Sequence, residues 1–326
     1  MKPIIAISIP TGIGAEIGGY AGDFGHIARK FAKDFHLIVN PNAVNGGILS
    51  AITPDMSYLE GYLFDEFFNG KIGITPLKPY ETNKIGVIFD SEIPETILNV
   101  HLNTLSALKM VQDIETIAIE YTQKPVGVEI KIENGISIGN LKNPDTLIKS
   151  AEKLIQKGAQ AIAVICYFNE DSEDINYENG NGVDPIGGIE AVISHLIAKK
   201  FKIPTAHAPA FKDIDIAQKV VNAKVSSELI SSTYLPCIMQ GLAIAPKIEE
   251  YSKAQITNKD VEFLMVPYDA LGSKAVLSCV ENDIKVICAK NKTVLDVTKN
   301  KLGANFTEYI GYEEWLQIAN QRKKEN

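Results

Sequence analysis

The chain has 326 residues, 45% apolar and 22% charged, the balance of an ordinary globular protein with room for one large or two medium domains. Its formal net charge of −8 comes without a long basic run, which argues against nucleic acid as a partner. No apolar run reaches membrane-spanning length and the four cysteines form no C-x-x-C pair, which predicts a cytoplasmic protein with reduced, buried thiols and no membrane partner.

Residues 3–9 read as a buried strand. The segment from Pro10 to His26 follows, with six glycines in the fourteen residues 12–25. Gly12-x-Gly14 after a strand resembles a phosphate-binding turn, but a dinucleotide fingerprint would place its third glycine at 17, where Ile17 stands. The loop is therefore expected to line a small-molecule site through Thr11, Gly12, Gly14, Gly19 and Asp23, with no cofactor named by any motif. A short helix is expected at 26–33 and a strand at 36–40, followed by the asparagine cluster Asn40 to Gly47, in which Asn45 is a candidate site residue. The aromatic-rich stretch 58–69 reads as a helix that is either core or a subunit interface, which leaves a homo-oligomer open.

A strand at 84–90 ends in Asp90, and Pro94 opens a helix to about Met110. Strands at 114–120 and 125–132, a helix at 144–157 and the continuous apolar run Ala161–Cys166 come next. The alternation predicts an α/β fold, Rossmann-like, with a mainly parallel sheet covered by helices on both faces. The whole chain reads as one unit, divisible into a glycine-rich lobe at 1–83 and the main sheet lobe at 84–326.

The run Tyr167–Asp184 carries Glu170, Asp171, Glu173, Asp174, Glu178 and Asp184, a polar insertion of the kind that forms mobile lids. After it, Gly182–Pro209 reads as a glycine loop at Gly187 and Gly188, an amphipathic helix carrying His195, and a strand at 203–206 that delivers His207 at its end. The stretch from Leu271 repeats this spacing, Gly272 matching Gly188 and Ser278 matching Ser194, which suggests an internal duplication of a strand–glycine loop–helix–strand unit, both copies in one sheet. A helix at 213–223, a strand at Thr233–Met239 carrying Cys237, a strand at 261–267, a helix at 273–282, a strand at 284–289, the segment 291–297 and a terminal helix near 312–321 complete the chain.

Chemistry is expected where the glycine loops meet the strand ends. His207 is the first candidate for general acid/base work because imidazole titrates near neutral pH. His195, Asp90 and Cys237 are further catalytic candidates, and Asn291 and Thr293 join Asp184 and the glycines as ligand-binding candidates. Helix starts at glycine loops suit a small, anionic metabolite. The reading is an isomerase, racemase or lyase. A metal-dependent hydrolase using His207 and Asp184 and a non-catalytic, ligand-binding regulatory protein are the alternatives.

The motifs P-T-G-I-G-A-x-I-G-G-Y-A-G-D, N-P-N-x-x-N-G, G-V-D-P-I-x-G-x-E-A-V-I-S-H, I-P-x-A-H-A-P and N-x-T-V-L-D-V together resemble a bacterial and plastid family, domain of unknown function 3326. The resemblance covers nearly the whole chain and implies a full-length family member; it implies no mechanism.

Overall fold

A computed structural model describes residues 2–168, 177, 179–214, 216–303 and 306–325. In chain order it contains β1 (Ile4–Ile7), α1 (Gly25–Ala32), β2 (His36–Val39), β3 (Asn45–Gly46), β4 (Leu49–Ser50), β5 (Met56–Tyr58) and α2 (Gly61–Phe68). The middle of the chain supplies β6 (Ile72–Thr75), β7 (Ile85–Phe89), α3 (Glu95–Gln112), β8 (Thr116–Tyr121), β9 (Val128–Glu133), β10 (Ile136–Leu141), α4 (Pro144–Gln156) and β11 (Ala161–Phe168). There follow α5 (Gly187–Phe201), β12 (Thr205–Phe211), α6 (Ser226–Leu229), α7 (Leu235–Ala243) and β13 (Lys247–Glu250). The chain closes with β14 (Val261–Pro267), α8 (Lys274–Glu281), β15 (Lys285–Ala289), α9 (Lys299–Leu302), β16 (Thr307–Ile310) and α10 (Tyr312–Glu325).

The fold is α/β, but with two parallel sheets. One has six strands in the order β16-β15-β14-β1-β2-β5, the other four in the order β12-β11-β7-β8. The expected cut at residue 83 does not describe this arrangement, because β14, β15 and β16 from the end of the chain complete the sheet begun by β1. The two similar units, β11–α5–β12 and β14–α8–β15, are both parallel crossovers. They lie in different sheets and not in one: β11 and β12 pair in the four-stranded sheet, β14 and β15 in the six-stranded sheet.

Local chemistry explains most elements. In α4, Leu147, Ala151 and Leu154 are buried at helical spacing, and Pro at the first turn costs no intrahelical bond. β11 is an interior strand buried along its whole length, as its unbroken apolar run requires. Two of the expected elements are not found. Residues 213–223 form no helix among the described positions. Cys237 sits in helix α7 and not in a strand; Pro236, tolerated in a first helical turn, opens that helix and does not interrupt a ladder. Residues 291–297 add only an isolated bridge between Ala270 and Val297, and β16 takes the sheet edge. β9 is the first half of a hairpin with β10, turned by Asn134 and Gly135 at φ of 51° and 75°, the positive values a tight hairpin turn requires. The acidic insertion expected to act as a lid lies outside the described residues except for Tyr167 and Phe168, which end β11, Tyr177 and the stretch from Asn179. Among the described residues no helix is long and apolar enough to cross a membrane.

Candidate functional site

A cavity of about 580 Å³ opens where the carboxyl ends of both parallel sheets meet. Such strand ends are where ligands bind in open α/β sheets. Ser8, Pro10 and Thr11 reach it from the loop after β1, Asn40, Asn42 and Asn45 from the loop after β2, and Glu60 and Asp65 from the start of α2. The second sheet contributes Asp184, Glu190, Ser194 and His195 from α5 and its approach, and His207, Pro209 and Phe211 from β12.

His207 does not sit at a strand end. β12 continues to Phe211, with His207 opposite Val164 and Pro209 opposite Cys166. Pro209 can be accommodated because β12 is an edge strand. The strand's alternation then divides its residues: His207, Pro209 and Phe211 face the cavity, while Ala206, Ala208 and Ala210 pack into the largest core cluster. The small alanines therefore serve packing between layers.

His207 belongs to a chain of polar contacts. Its Nδ1 lies 3.1 Å from Ser194 Oγ, and Ser194 Oγ donates to Glu60 Oε1 at 3.3 Å. With the serine proton directed to Glu60, Ser194 accepts from His207 Nδ1–H, which leaves Nε2 with the free lone pair. Nε2 lies 3.6 Å from Glu190 Oε2. His195 joins from the same helix: its Nδ1 is in ion-pair contact with Glu60 Oε1, off the line of an ideal hydrogen bond. Burial opposes the charged imidazole of His195, but Glu60, supported by Asp65, outweighs it and raises the pKa.

The glycine loops do meet, through a residue the sequence reading passed over. Ser137 in β10 donates from its backbone N–H to Gly12 O at 3.0 Å and from its hydroxyl to Pro185 O at 2.7 Å. The same hydroxyl accepts from Gly188 N–H at 2.9 Å. Gly187 packs against Thr11, Asp184 and Gly12, and Gly14 against Val183. The third loop contributes Ser273 and Ala275 to the cavity. Gly272 itself packs on Val297, and Gly12, Gly14, Gly19, Gly187 and Gly188 form the scaffold behind the lining.

Three of the loop's N–H groups are held by side chains of the protein. Gly18 N–H donates to Asp23 Oδ1 at 2.8 Å, Ile17 N–H to Asn291 Oδ1 at 3.0 Å and Ala21 N–H to Glu228 Oε1 at 2.6 Å. Asp23 thus organises the loop; burial raises its pKa to about 6. Asn291 is fully buried and also donates to Ile17 O at 2.7 Å and Tyr312 Oη at 3.2 Å. Thr293 is buried, its N–H donating to Asp269. Neither Asn291 nor Thr293 lines the cavity, so both hold the loop in place.

Asp90 is also outside the cavity. Its carboxylate accepts from Val126 N–H at 3.1 Å, Glu92 N–H at 3.3 Å and Tyr167 N–H at 3.4 Å, tying β7 and β11 to the start of the hairpin. Asp90→Ala would strand these buried donors and is expected to destabilise by about 2–3 kcal/mol, with ligand binding unchanged; urea unfolding beside binding measures both. Cys237 does line the cavity, but its Sγ accepts from Gly46 N–H at 3.2 Å and burial pushes its thiol up to about 12. The thiolate a nucleophile needs is then scarce at neutral pH.

Two carboxyl groups are poised close to neutrality. Burial, then the neighbouring Glu190, raises Asp184 to about 7; burial, then Asp184, raises Glu228 to about 8. Glu228 also accepts from Tyr177 Oη at 3.0 Å. An unfolded carboxyl group loses its proton near pH 4. The folded protein therefore holds protons that the unfolded chain has released, and stability falls as pH rises from about 4 to about 8. Glu228→Gln is expected to flatten this decline; melting temperature against pH for both proteins checks it.

Among the described residues no group of three or more His, Cys, Asp or Glu side chains is arranged to hold a metal ion, so His207 and Asp184 gain no third ligand. Glu60, Asp65, Ser194 and Glu228 are the site residues that sequence reasoning missed. The first two flank and enter an apolar helix, where acidic residues read as caps. Glu228 lies in a segment without periodicity.

Fold and cavity define an α/β protein with a polar, carboxylate-rich site between two parallel sheets. The chain belongs to the family described as "Protein of unknown function (DUF3326)", whose model matches residues 4–324. It is similar to a protein of Synechococcus sp. (strain ATCC 27144 / PCC 6301 / SAUG 1402/1) named an uncharacterized lipoprotein, 34% identical over 304 residues, which span 90% of this chain and 84% of that protein. That name lends no support to the cytoplasmic expectation. No solved structure matches the chain.

Proposed function

We propose that the protein is an enzyme that transfers a proton on a small molecule held in this cavity, an isomerase, racemase or lyase, with His207 as general base and acid. The observation that carries the proposal is the series Glu60–Ser194–His207–Glu190. Glu60 and the Ala191 carbonyl, 3.3 and 3.2 Å away, are the acceptors for the serine proton, so the serine oxygen accepts from the imidazole and Nε2 is left to take a proton. Glu190 then stands where it stabilises the imidazolium. A third group orienting a base in this way is a recurring device for proton transfer. Glu60 is held in turn by capping α2, its Oε2 accepting from Tyr62 N–H at 2.7 Å.

The test begins with incubation of the purified protein in a defined metabolite mixture, followed by mass spectrometry to find a compound that is consumed. His207→Gln is then compared with wild type in melting and in turnover of that compound. Loss of turnover without loss of folding is expected. Undiminished turnover would sink the assignment.

A further inference from the structure

Glycine loops at free helix ends would suit an anion. We propose that the ligand is instead a small organic cation, a protonated amine, bound among carboxylates and aromatic rings. This rests on the reading above and names the substrate class of the same site.

The first argument is that the helix ends are taken. Three of the helices that begin at the cavity have side chains of the protein at their first N–H groups. Glu60 accepts from Tyr62 N–H in α2. Asp184 accepts from Ile186 N–H at the entrance of α5 at 3.0 Å, where Ser137 takes Gly188 N–H. Asp65 accepts from Ala275 N–H in α8 at 2.9 Å. Of these four N–H groups, three are taken by carboxylates that would repel an anion and one by the Ser137 hydroxyl. The glycine loop after β1 is engaged in the same way by Asp23, Asn291 and Glu228.

The second argument is the balance of charge on the wall. Among the described residues, Glu60, Asp65, Asp184, Glu190, Asp213 and Glu228 line the cavity against a single lysine, Lys212. With all six ionised, the state a bound cation favours, crediting His195 with a full positive charge and each helix end with roughly half a charge still leaves the wall negative; with Asp184 and Glu228 protonated it is close to neutral. The remaining surface suits an ammonium group: Phe64, Phe168, Tyr177, Phe211 and Tyr234 also line the cavity, and aromatic faces attract desolvated cations.

Proton linkage makes the inference measurable. Asp184 is faced by Glu190, His207, Glu228 and Tyr177, and Glu228 by Asp184, Glu190, Tyr177 and Tyr234. Both carboxyls hold protons near pH 7 in the free site. A bound cation favours their ionised forms, so binding releases protons; an anion would draw protons in.

The experiment is calorimetric titration of the full chain at pH 7.5 with agmatine and spermidine, and with citrate and inorganic phosphate, in two buffers of different ionisation enthalpy. An amine is expected to bind with net proton release. Its affinity should fall at least tenfold in Glu228→Gln and in Asp184→Asn, the latter still able to accept from Ile186 N–H. Binding of citrate or phosphate in place of the amines, amine binding without proton release, or no binding by either amine would each overturn the proposal. Where a variant fails to fold, the proton balance of the wild-type protein decides alone. An amine-binding protein whose His207→Gln form keeps full turnover would defeat the proton-transfer reading and leave the ligand class standing. Citrate binding with turnover lost in His207→Gln would do the reverse.

Discussion

His207→Gln is expected to melt with the wild-type protein and to lose turnover by about 10²- to 10⁴-fold, the usual worth of a positioned acid or base. The fold should survive because the side chain projects from an edge strand into the cavity, and the packing of β12 is carried by Ala206, Ala208 and Ala210 on the opposite face. Gln can keep the contact with Ser194 Oγ, now 3.1 Å from Nδ1, but cannot accept and return a proton. Parallel melting and steady-state turnover separate the two effects. A rise in KM alone, with kcat intact, would mean that His207 binds the ligand without acting on it. Failure to fold would make the histidine structural.

The second large effect is expected at Gly188. A methyl group there would be driven against the carbonyl of Ser137 and within 2.8 Å of Ile138 N. Helix propensity alone favours alanine over glycine by about 1 kcal/mol, but the obstacle is backbone of the hairpin, which cannot rotate away as a side chain would. Overpacking of this kind costs about 1–3 kcal/mol and at times more, so Gly188→Ala is expected to destabilise by about 3 kcal/mol and to open the junction of the two glycine loops. Gly272, its counterpart in the sequence repeat, meets only the Val297 side chain, at 3.3 Å and beyond. Gly272→Ala should change stability by less than about 1 kcal/mol. Urea unfolding of both variants tests this; equal losses would refute the distinction.

That contrast shows where sequence reasoning stops. Spacing alone equated Gly188 with Gly272, and each does open the helix of a parallel crossover. Only one of them has a hairpin lying across it. The hairpin itself carried a local signal, Asn134-Gly135 between two runs of β-branched residues, which was legible and was passed over. Cys237 was misplaced because a short apolar run with a proline does not distinguish a strand from the first turn of a buried helix.

The sequence by itself determined the α/β class, the positions of β1, β7, β11, α4 and α5, and the presence of His207, His195 and Asp184 near one another, because these follow from periodicity and from nearness along the chain. The tertiary structure alone decided that the strands divide into two sheets, that Glu60 reaches Ser194 across 134 positions of sequence, and that Asp90 and Asn291 hold backbone in place outside the cavity. It also decided that carboxylates fill the helix ends. The physical reason is the same in each case: hydrogen bonds, burial and electrostatic shifts depend on which groups come within a few ångströms, and residues far apart in the chain carry no local pattern that records their meeting.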